Sequence, residues 1–546
     1  MSSNINPSTQ GYTGIDMMKQ GSLTAFYSDI DSAIVASEVV KASYKEVFQP
    51  CYATNAPVAQ RTETTISISC SGDQFTNIDA SNITGDITVE LSSNQAKTVD
   101  GDNQNIYYFV GWKFSKDTIL RYQIFQNDQM VIDQSDNAFE SFLRSQCVTE
   151  QVRNEKNYIY STYDNVSRMR SVKCGAYVRF NNDYVAGTKF TVPIRVQIPL
   201  NSFLPLASMR YILGWMGKWE IKLFFDPETL VVLPIDPRDV PHMYPRFSVD
   251  SRLEEPYQYE QIGSKMKGIS QIDIDGGSGA LTITGAVDEV WTAGNMYVDK
   301  LGIYKNYATL RADVNNFLKN KYIHQEGLML PVQVLKITRF TQRPNLQNLS
   351  TTLTTSAESC DTLYVLTPKE SRQKTVFRNP YLNQIQLQID NYGVYPQKPY
   401  ATFNDQRYLN MVADSINVNS SEITSFNKDT SCSFSTHINV FDAIDTNTSP
   451  DAGTPIPAYN GDNSNFFVGF PFSSDGDFQG GFHSSQNCTF QLTGTVNETF
   501  NPDHADWNSV WIGCFLIDGL LGIMPNPHSD SAAVTFTAKS FPAKPY

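Results

Sequence analysis

The chain has 546 residues, a formal net charge of −14 at pH 7 and only 18% charged residues. This balance excludes a whole-molecule basic surface, so no direct sequence-specific binding of nucleic acid is predicted. No run of 18 apolar residues is present, so no membrane-spanning helix is predicted, and the N-terminus lacks the pattern of a secretory signal. At about 200–250 residues per all-β domain, the length accommodates two β-domains and a short extension.

The first 49 residues differ from the rest of the chain and are predicted to form an N-terminal arm or helix, because 29–48 has helix-compatible apolar spacing. Short strands follow, where Ile66 and Ile68 and then Ile87, Val89 and Leu91 alternate with polar residues. The polar segments 71–86 and 92–105 are predicted to be exposed loops.

The clearest strand pattern lies at 190–200, where apolar and polar residues alternate strictly, and the alternation resumes at 219–225. Between them, 201–217 is apolar without alternation, which predicts a short helical segment. Further strands are predicted at 106–114 and 119–124, and a short helix at 137–147. Many turn residues occupy 226–295, and a strand from about 296 followed by a helix at 310–318 is predicted to end the first domain.

The second half repeats this organisation. Strands are predicted at 330–340, 362–366, 385–389, 438–441, 466–472, 489–495, 510–524 and 534–538, the run at 510–524 being apolar enough for burial on both faces. The segment 445–486 is rich in turn residues and is predicted to form long surface loops. The predicted division is an N-terminal arm (1–49), a first sandwich (50–320) and a second sandwich (321–546).

The eight cysteines contain no Cys-x-x-Cys pair and favour free thiols, with a disulfide framework or a metal site as open alternatives. They lie at 51, 70, 147, 174, 360, 432, 488 and 514. Seven Asn-x-Ser/Thr sequons are expected by chance in a chain this rich in Asn and Thr, and glycosylation is not predicted.

Candidate chemistry is sparse, and each case favours a structural interpretation. DIDGGSG at 273–279 lacks the ligand spacing of a calcium loop and the following helix of a phosphate loop, so a hairpin turn is predicted. The remaining candidates are the loop residues Asp503, His504 and Asp506, the carboxylate pairs Glu254–Glu255 and Asp442–Asp445, and the basic patch Arg168, Arg170 and Lys173. No catalytic, cofactor-binding or metal-binding residue is predicted, no cofactor is expected, and the chain is not expected to be an enzyme.

Two segments resemble a known family. VPIRVQIPLNSFLPLASMRYILGWMGKWEIKLFFDP (192–227) and RNPYLNQIQLQIDNYGVYPQKPY (378–400) resemble the double jelly-roll major capsid proteins of adenovirus and tailless phages, in a style nearest to those of virophages and polinton-like viruses. The strand at 198–200 followed by 203–212 resembles the strand-then-helix element of the first jelly roll. Segment 379–389, the pair Tyr395–Pro396 and a helix at 405–412 resemble the opening of the second. NSVWIGCFLIDGLLGIMP and VTFTAKSF resemble the last strands.

The resemblance implies an all-β fold of two antiparallel eight-stranded jelly-roll sandwiches side by side, with short helices in loops. It implies a major capsid protein whose homotrimers form pseudo-hexameric capsomers of an icosahedral double-stranded DNA virus. The implied partners are further copies of the chain, penton proteins and minor or cement capsid proteins, with an internal membrane as a further candidate. The implied location is the virion, after synthesis in the host cytoplasm, nucleus or virus factory.

Two other classes of function stay open at this point. The aromatic content of 12% would also suit a two-domain β-sandwich that binds carbohydrate or acts as an attachment protein. A polysaccharide-active enzyme is the third class, and it would need a carboxylate pair across a cleft.

Overall fold

The computed structural model describes residues 63–70, 72–99, 106–112, 114–146, 175–207, 209–225, 227–235, 260–267, 271–274, 281–284, 288–320, 328–341, 348–355, 360–368, 373–377, 380, 382–389, 393–402, 406–416, 466–472, 488–496, 510–525 and 536–542. The predicted N-terminal helix at 29–48 and the predicted strand at 438–441 lie outside these ranges, as does most of the predicted loop region 445–486.

The first half contains fifteen strands and three α-helices among its described residues. The strands are β1 (Glu63–Ser67), β2 (Gln74–Ser93), β3 (Ile106–Gly111), β4 (Ile119–Gln126), β5 (Gln129–Gln134), β6 (Gly175–Phe180), β7 (Phe190–Pro199), β8 (Tyr211–Leu213), β9 (Trp219–Phe225), β10 (Val231–Ile235), β11 (Glu260–Gln261), β12 (Lys265–Lys267), β13 (Gln271–Ile274), β14 (Leu281–Thr284) and β15 (Asp288–Thr309). The helices are α1 (Asn137–Gln146), α2 (Leu204–Ala207) and α3 (Ala312–Lys319).

The second half contains nine described strands and one described helix. They are β16 (Leu328–Thr341), β17 (Asn348–Thr355), β18 (Cys360–Leu366), β19 (Leu382–Ile389), β20 (Gly393–Tyr400), α4 (Gln406–Ile416), β21 (Val468–Pro471), β22 (Cys488–Val496), β23 (Val510–Pro525) and β24 (Phe536–Pro542).

The second half has the strand order of a jelly roll. One antiparallel sheet has the order β16-β23-β18-β21 and the other β17-β22-β19-β20, so strands that follow each other in the chain mostly alternate between the two sheets. Helix α4 lies in the connection between β20 and β21. This is the eight-stranded, double Greek-key arrangement of jelly rolls, and β24 extends it by pairing with β23.

The first half repeats this order. Its sheet β1-β9-β4-β5 corresponds strand for strand to β17-β22-β19-β20, and β15-β2-β7 corresponds to β23-β18-β21. Helix α1 lies between β5 and β7, as α4 lies between β20 and β21. Beside β15, at the position that β16 holds beside β23, the described residues place the short strand β12. The prediction of an all-β double jelly roll with short helices is therefore confirmed, whereas the boundaries at 49/50 and 320/321 stay predictions.

A further four-stranded sheet, here called the accessory sheet, has no counterpart among the described residues of the second half. Its order is β11-β10-β3-β6. Strand β3 lies in the connection from β2 to β4, β6 in that from β5 to β7, and β10 and β11 in that from β9 to β15. Because consecutive strands of the sandwich run in opposite directions, these three connections leave the same end of the first sandwich, here called the accessory end.

The predicted period of two is confirmed on β7 and β9. On β7, Val192, Ile194, Val196 and Ile198 are buried while Arg195 between them is exposed. On β23, all residues from 511 to 516 are buried, as predicted, because the second face of this sheet is also covered. Val332 on β16 and Leu521 on β23 belong to the core cluster of the first sandwich, so the two sandwiches share apolar contacts.

The predicted exposed loop at 71–86 is wrong. Residues 74–86 are the first part of the 20-residue strand β2, which pairs with β15, β7 and β8. Its Asn, Asp and Gly residues have weak intrinsic strand preference, but partners on both edges supply the hydrogen bonds, and Ile78 and Ile83 are fully buried. Likewise, β15 begins at Asp288, within the segment predicted to consist of turns.

Two parts of the family resemblance are also corrected. The helix expected at 203–212 is only the four-residue α2, followed by strand β8, and the helix that corresponds to α4 is α1. Segment 379–389 contains β19, the fourth strand of the second sandwich, and not its opening, which is β16. Helices were correctly predicted near α1, α3 and α4.

Candidate functional site

Polar contacts join the two sandwiches in a region here called the seam, which comprises Gln134, Asp136, Leu335, Arg339 and Lys374. At its centre, the side-chain amide of Gln134, the last residue of β5, reaches across to β16. Gln134 Nε2 donates to the carbonyl oxygen of Leu335 at 3.0 Å, and the Leu335 N–H donates to Gln134 Oε1 at 3.3 Å. One glutamine side chain thus satisfies both backbone groups of a residue in the other sandwich.

The seam continues in the same direction along both strands. Arg339 lies four residues beyond Leu335, and Asp136 lies two residues beyond Gln134. Arg339 Nη2 donates to Asp136 Oδ2 at 3.0 Å. Lys374 Nζ lies 4.0 Å from the other oxygen of Asp136. Because contacts advance together along β5 and β16, these strands run in the same sense. Within the second sandwich, β20, the counterpart of β5, comes four strand reversals after β16 and therefore runs in the same direction as β16. Since β5 also runs in the direction of β16, the two sandwiches stand in the same sense.

Helix α1 is buried on two faces, one against each sandwich. Asn137 and Glu140 are three residues apart and point into the first sandwich, where the Asn137 amide donates to the carbonyls of Lys116 and Ile119. Phe142 lies on another face and contacts the second sandwich, with its ring centroid 4.8 Å from that of Phe377. Two further ring contacts join α1 to the second sandwich, Phe139–Phe377 at 5.9 Å and Phe142–Phe467 at 5.9 Å.

A buried ion pair holds the inner face of α1. Glu140 accepts from Lys116, in the 3₁₀ turn before β4, and also from the Tyr122 hydroxyl at 2.7 Å and the Leu204 N–H at 2.8 Å. Lys116 Nζ also donates to the Ser202 carbonyl at 3.0 Å. Burying two charges costs several kcal/mol per ion, and such a pair is tolerated where hydrogen bonds satisfy both groups, as they do in this cluster.

The pKa values in this cluster follow from its burial. Desolvation lowers the pKa of Lys116 to about 8, although the carboxylate of Glu140 opposes the shift. Desolvation and then the same carboxylate raise the pKa of the Tyr122 hydroxyl well above its usual value. Tyr122 is therefore a permanent hydrogen-bond donor to Glu140 at neutral pH.

A second buried ion pair lies at the accessory end. Lys97 Nζ is 2.5 Å from Glu289 Oε1, and the side chains of both residues are 0% exposed. The Tyr108 hydroxyl accepts from Lys97 at 3.0 Å and donates to Glu289 Oε2 at 2.8 Å, and Ser93 Oγ also donates to Glu289. Burial lowers the pKa of Lys97. Tyr108 is on the accessory sheet and Glu289 on β15, so the pair fastens that sheet to the sandwich.

Aromatic rings enclose the Lys97 ammonium. It lies 4.6 Å from the ring centroid of Tyr108 and 5.7 Å from that of Trp291. At these distances a cation gains further attraction from the faces of the rings. A closed, fully paired site of this kind has no access for a substrate, so both Lys–Glu pairs serve as structural joints.

The candidates named from the sequence fall mostly outside the described residues. These are the loop residues Asp503, His504 and Asp506, the carboxylate pairs Glu254–Glu255 and Asp442–Asp445, and the basic patch Arg168, Arg170 and Lys173. The hairpin prediction for DIDGGSG is supported by the antiparallel pairing of β13 with β14 on either side of 275–280, which is itself not described. Cys70, Cys360 and Cys514 are free thiols, the last two buried.

Metal ligands and membrane-spanning helices are both absent from the described residues. These residues contain no group of three or more His, Cys, Asp or Glu side chains placed to hold a metal ion. Within the same ranges, no helix has the length and apolar character needed to cross a membrane.

The residues that build the seam and the ion pairs were not identified from the sequence. Lys97 lies in a segment predicted to be an exposed loop, and its only signal is a cation beside a strand end. The sequence indicates a partner for Glu140 more clearly, because a carboxylate on the inner face of a packed helix requires a cation or hydrogen-bond donors such as Lys116. Gln134 carries no signal, since a glutamine at a strand end is ordinarily exposed.

No protein-family model matches this chain, and no curated protein matches its sequence. Its structure is similar to solved structures of viruses. A chain of the Sputnik virophage is 12% identical with a TM-score of 0.46, and the match covers 92% of this chain and 90% of that one. The mavirus major capsid protein is 14% identical with a TM-score of 0.47, covering 92% and 93%. The Faustovirus major capsid protein is 9% identical with a TM-score of 0.39, covering 93% and 99%.

Proposed function

We propose that this chain is the major capsid protein of an icosahedral double-stranded DNA virus and that three copies form one pseudo-hexameric capsomer. The observation that carries the proposal is one jelly-roll order occurring twice in a single chain, with the two sandwiches upright in the same sense. Jelly rolls occur in viral capsid, lectin and cupin domains. Two equivalent, rigidly joined sandwiches suit a repeating subunit of a shell better than they suit a protein with a single binding site.

This geometry supports the proposed threefold self-association. Three chains contribute six sandwiches, and six similar units in a ring approximate a hexagon that tiles a surface. A closed cyclic trimer uses one head-to-tail contact three times. Obligate interfaces of this kind usually bury about 2,000 Å² or more.

The seam and the buried ion pairs support a structural function. They hold α1, the accessory sheet and both sandwiches in one arrangement, and each charged group that they contain is paired. The net charge of −14 also favours particles that repel each other and stay dispersed. We propose no catalytic activity, cofactor or metal for this chain.

The partners that this function requires are neighbouring capsomers, penton proteins and minor or cement capsid proteins, with an internal membrane as a further candidate, and the proposed location is the virion. We retain the division into an arm (1–49), a first jelly roll (50–320) and a second jelly roll (321–546).

Native mass spectrometry and negative-stain electron microscopy of the purified full chain test the proposal. The expected result is a species of three 61.3-kDa chains that forms hexagonal particles or sheets. A stable monomer at micromolar concentration, without particles, would contradict it. A monomer that binds glycans on an array would instead favour the carbohydrate-binding alternative.

A further inference from the structure

The buried pair of Lys97 and Glu289 is arranged so that its two side chains can react with each other. Lys97 Nζ lies 2.5 Å from Glu289 Oε1, and both side chains are fully buried. The Tyr108 hydroxyl accepts a hydrogen bond from Lys97 Nζ at 3.0 Å and donates one to Glu289 Oε2 at 2.8 Å. This hydroxyl therefore bridges the amine nitrogen and the second carboxyl oxygen.

The backbone holds both reacting groups in place. Glu289 is the second residue of β15 and is paired with Met266 on β12. The backbone of Lys97 is bonded in both directions to that of Tyr184, at 2.9 Å and 2.8 Å. Well-oriented groups of one molecule react as if their concentration were about 10⁵ M or more. An amine and a carboxyl group fixed in this way therefore need no further activation by binding.

The surroundings of the pair favour the neutral forms that amide formation requires. The ring centroids of Tyr108, Phe180 and Trp291 lie 4.6, 5.9 and 5.7 Å from Lys97 Nζ. Desolvation by burial lowers the pKa of Lys97, so its ammonium gives up a proton more readily than it does in water. Complete burial of both side chains also keeps away the bulk water that would hydrolyse an amide.

We propose that Lys97 and Glu289 form an intramolecular isopeptide bond after the chain has folded. The bond joins the segment after β2 to the start of β15, 192 residues later in the chain. A covalent link across so long a loop restricts the unfolded chain and thereby stabilises the fold. The inference goes beyond the proposed function and involves no outside substrate, since both reacting groups belong to the chain.

The atoms of this reaction balance without any external reagent. The Lys97 ammonium first gives one proton to Oε2 of Glu289, which leaves an amine with two hydrogens and a carboxylic acid. The lone pair of Nζ then attacks Cδ, and the hydrogen bond from Ser93 Oγ stabilises the negative charge that develops on Oε1. Tyr108 passes a second proton from Nζ to Oε2, the Cδ–Oε2 bond breaks, and one water molecule leaves.

The second Lys–Glu pair lacks this relay. The Tyr122 hydroxyl donates to Glu140 Oε2, but within the described ranges it has no hydrogen bond with Lys116. We therefore expect Lys116 and Glu140 to stay an ion pair. The neutral forms are the minor population of the Lys97–Glu289 pair as well, so its bond forms slowly, and the freshly folded chain holds the ion pair.

Mass spectrometry of the full chain tests the bond. The folded protein is incubated over several days, and samples are denatured and weighed. A growing fraction should lose the mass of one water molecule, and a tryptic digest should contain a branched peptide in which Lys97 is joined to Glu289. Lys97→Met should give no branched peptide. An unchanged mass after incubation, with Lys97 still cleaved by trypsin, would overturn the proposal.

Replacing Tyr108 with Phe tests the relay while keeping the ring. The branched peptide should appear at least about tenfold more slowly, because a positioned proton donor or acceptor contributes about 10²–10⁴-fold to a rate. Tyr122→Phe is the matched control, since it removes the equivalent hydroxyl from the other pair and should leave the rate at Lys97 unchanged. Circular dichroism would show that both variants are folded. Equal rates in Tyr108→Phe and the unaltered protein would overturn the role of Tyr108.

Discussion

Gln134 and Leu335 are 201 residues apart in the chain, yet the side chain of one pairs with both backbone groups of the other. The glutamine amide takes the place that a neighbouring strand would occupy beside β16. A side chain is thereby part of the backbone hydrogen bonding of the second sandwich, and it belongs to the last residue of an edge strand in the first.

Replacing Gln134 with Leu should destabilise the protein by about 1–3 kcal/mol, because the N–H and carbonyl of Leu335 are left without this partner in a buried position. The midpoint of urea unfolding measures the loss. Gln388→Leu, an exposed position on β19, serves as the control and should change the free energy of unfolding by less than about 0.5 kcal/mol. Equal effects at the two sites would contradict the importance of the pair.

Removing the Lys97 charge should be costly. Lys97→Met leaves the Glu289 carboxylate buried without its cation, a change expected to cost about 3–5 kcal/mol in urea unfolding. The double variant Lys97→Met/Glu289→Leu removes both charges and should recover most of that loss. The exposed pair of Lys265 with Asp288 provides the comparison, since Lys265→Met should cost at most about 1 kcal/mol. If the double variant is no more stable than Lys97→Met, the uncompensated Glu289 charge is not the cause of the loss.

Lys116 gives the stability a defined pH dependence. Its pKa is about 8 in the folded protein and 10.5 when exposed, so between these values the unfolded state binds more protons. The contribution of Lys116 to the free energy of unfolding therefore rises with pH between these two values, by up to about 1.4 kcal/mol per pH unit. The free energy of urea unfolding, measured at pH 8, 9 and 10, should rise more steeply with pH in the unaltered protein than in Lys116→Met. Replacing the exposed Lys189 by Met should leave the slope unchanged, and parallel curves for Lys116→Met would contradict the prediction.

Gly469 on β21 lies against Ser415 on α4. A Cβ at this position would lie 2.1 Å from Ser415 Oγ and 2.4 Å from Ser415 Cβ. Gly469→Ala should therefore lower stability by about 1–3 kcal/mol, as overpacking does. Gly294→Ala is the control, because its nearest neighbour would be the flexible carboxylate of Glu90 at 3.0 Å. In thermal unfolding, the melting temperature of Gly469→Ala should be clearly lower than that of Gly294→Ala.

Much of the fold could be predicted from the sequence because one face of most strands is buried. Strands β7, β9 and β19 show the resulting alternation directly. Strand β2 does not, because its early residues are Asn, Asp and Gly, and strand partners more than 100 residues away in the chain decide its conformation. Single-sequence patterns report local burial, and they carry no information on such distant pairing.

The seam was beyond prediction for a related reason. Helix α1 was predicted, but its double burial was not, because an apolar face indicates that a helix packs without indicating how many neighbours it has. Lys97, in a segment rich in Ser, Asn and Asp, has the composition of a loop, and its burial depends on Glu289, 192 residues later.

The double burial of α1 has a mechanical consequence. Among the described residues, this helix packs its rings against the second sandwich and pairs its carboxylate with the first. Rotation of one sandwich against the other would have to break both sets of contacts. In the proposed capsid, each chain would therefore respond to load as one unit, and deformation would fall on the contacts between chains.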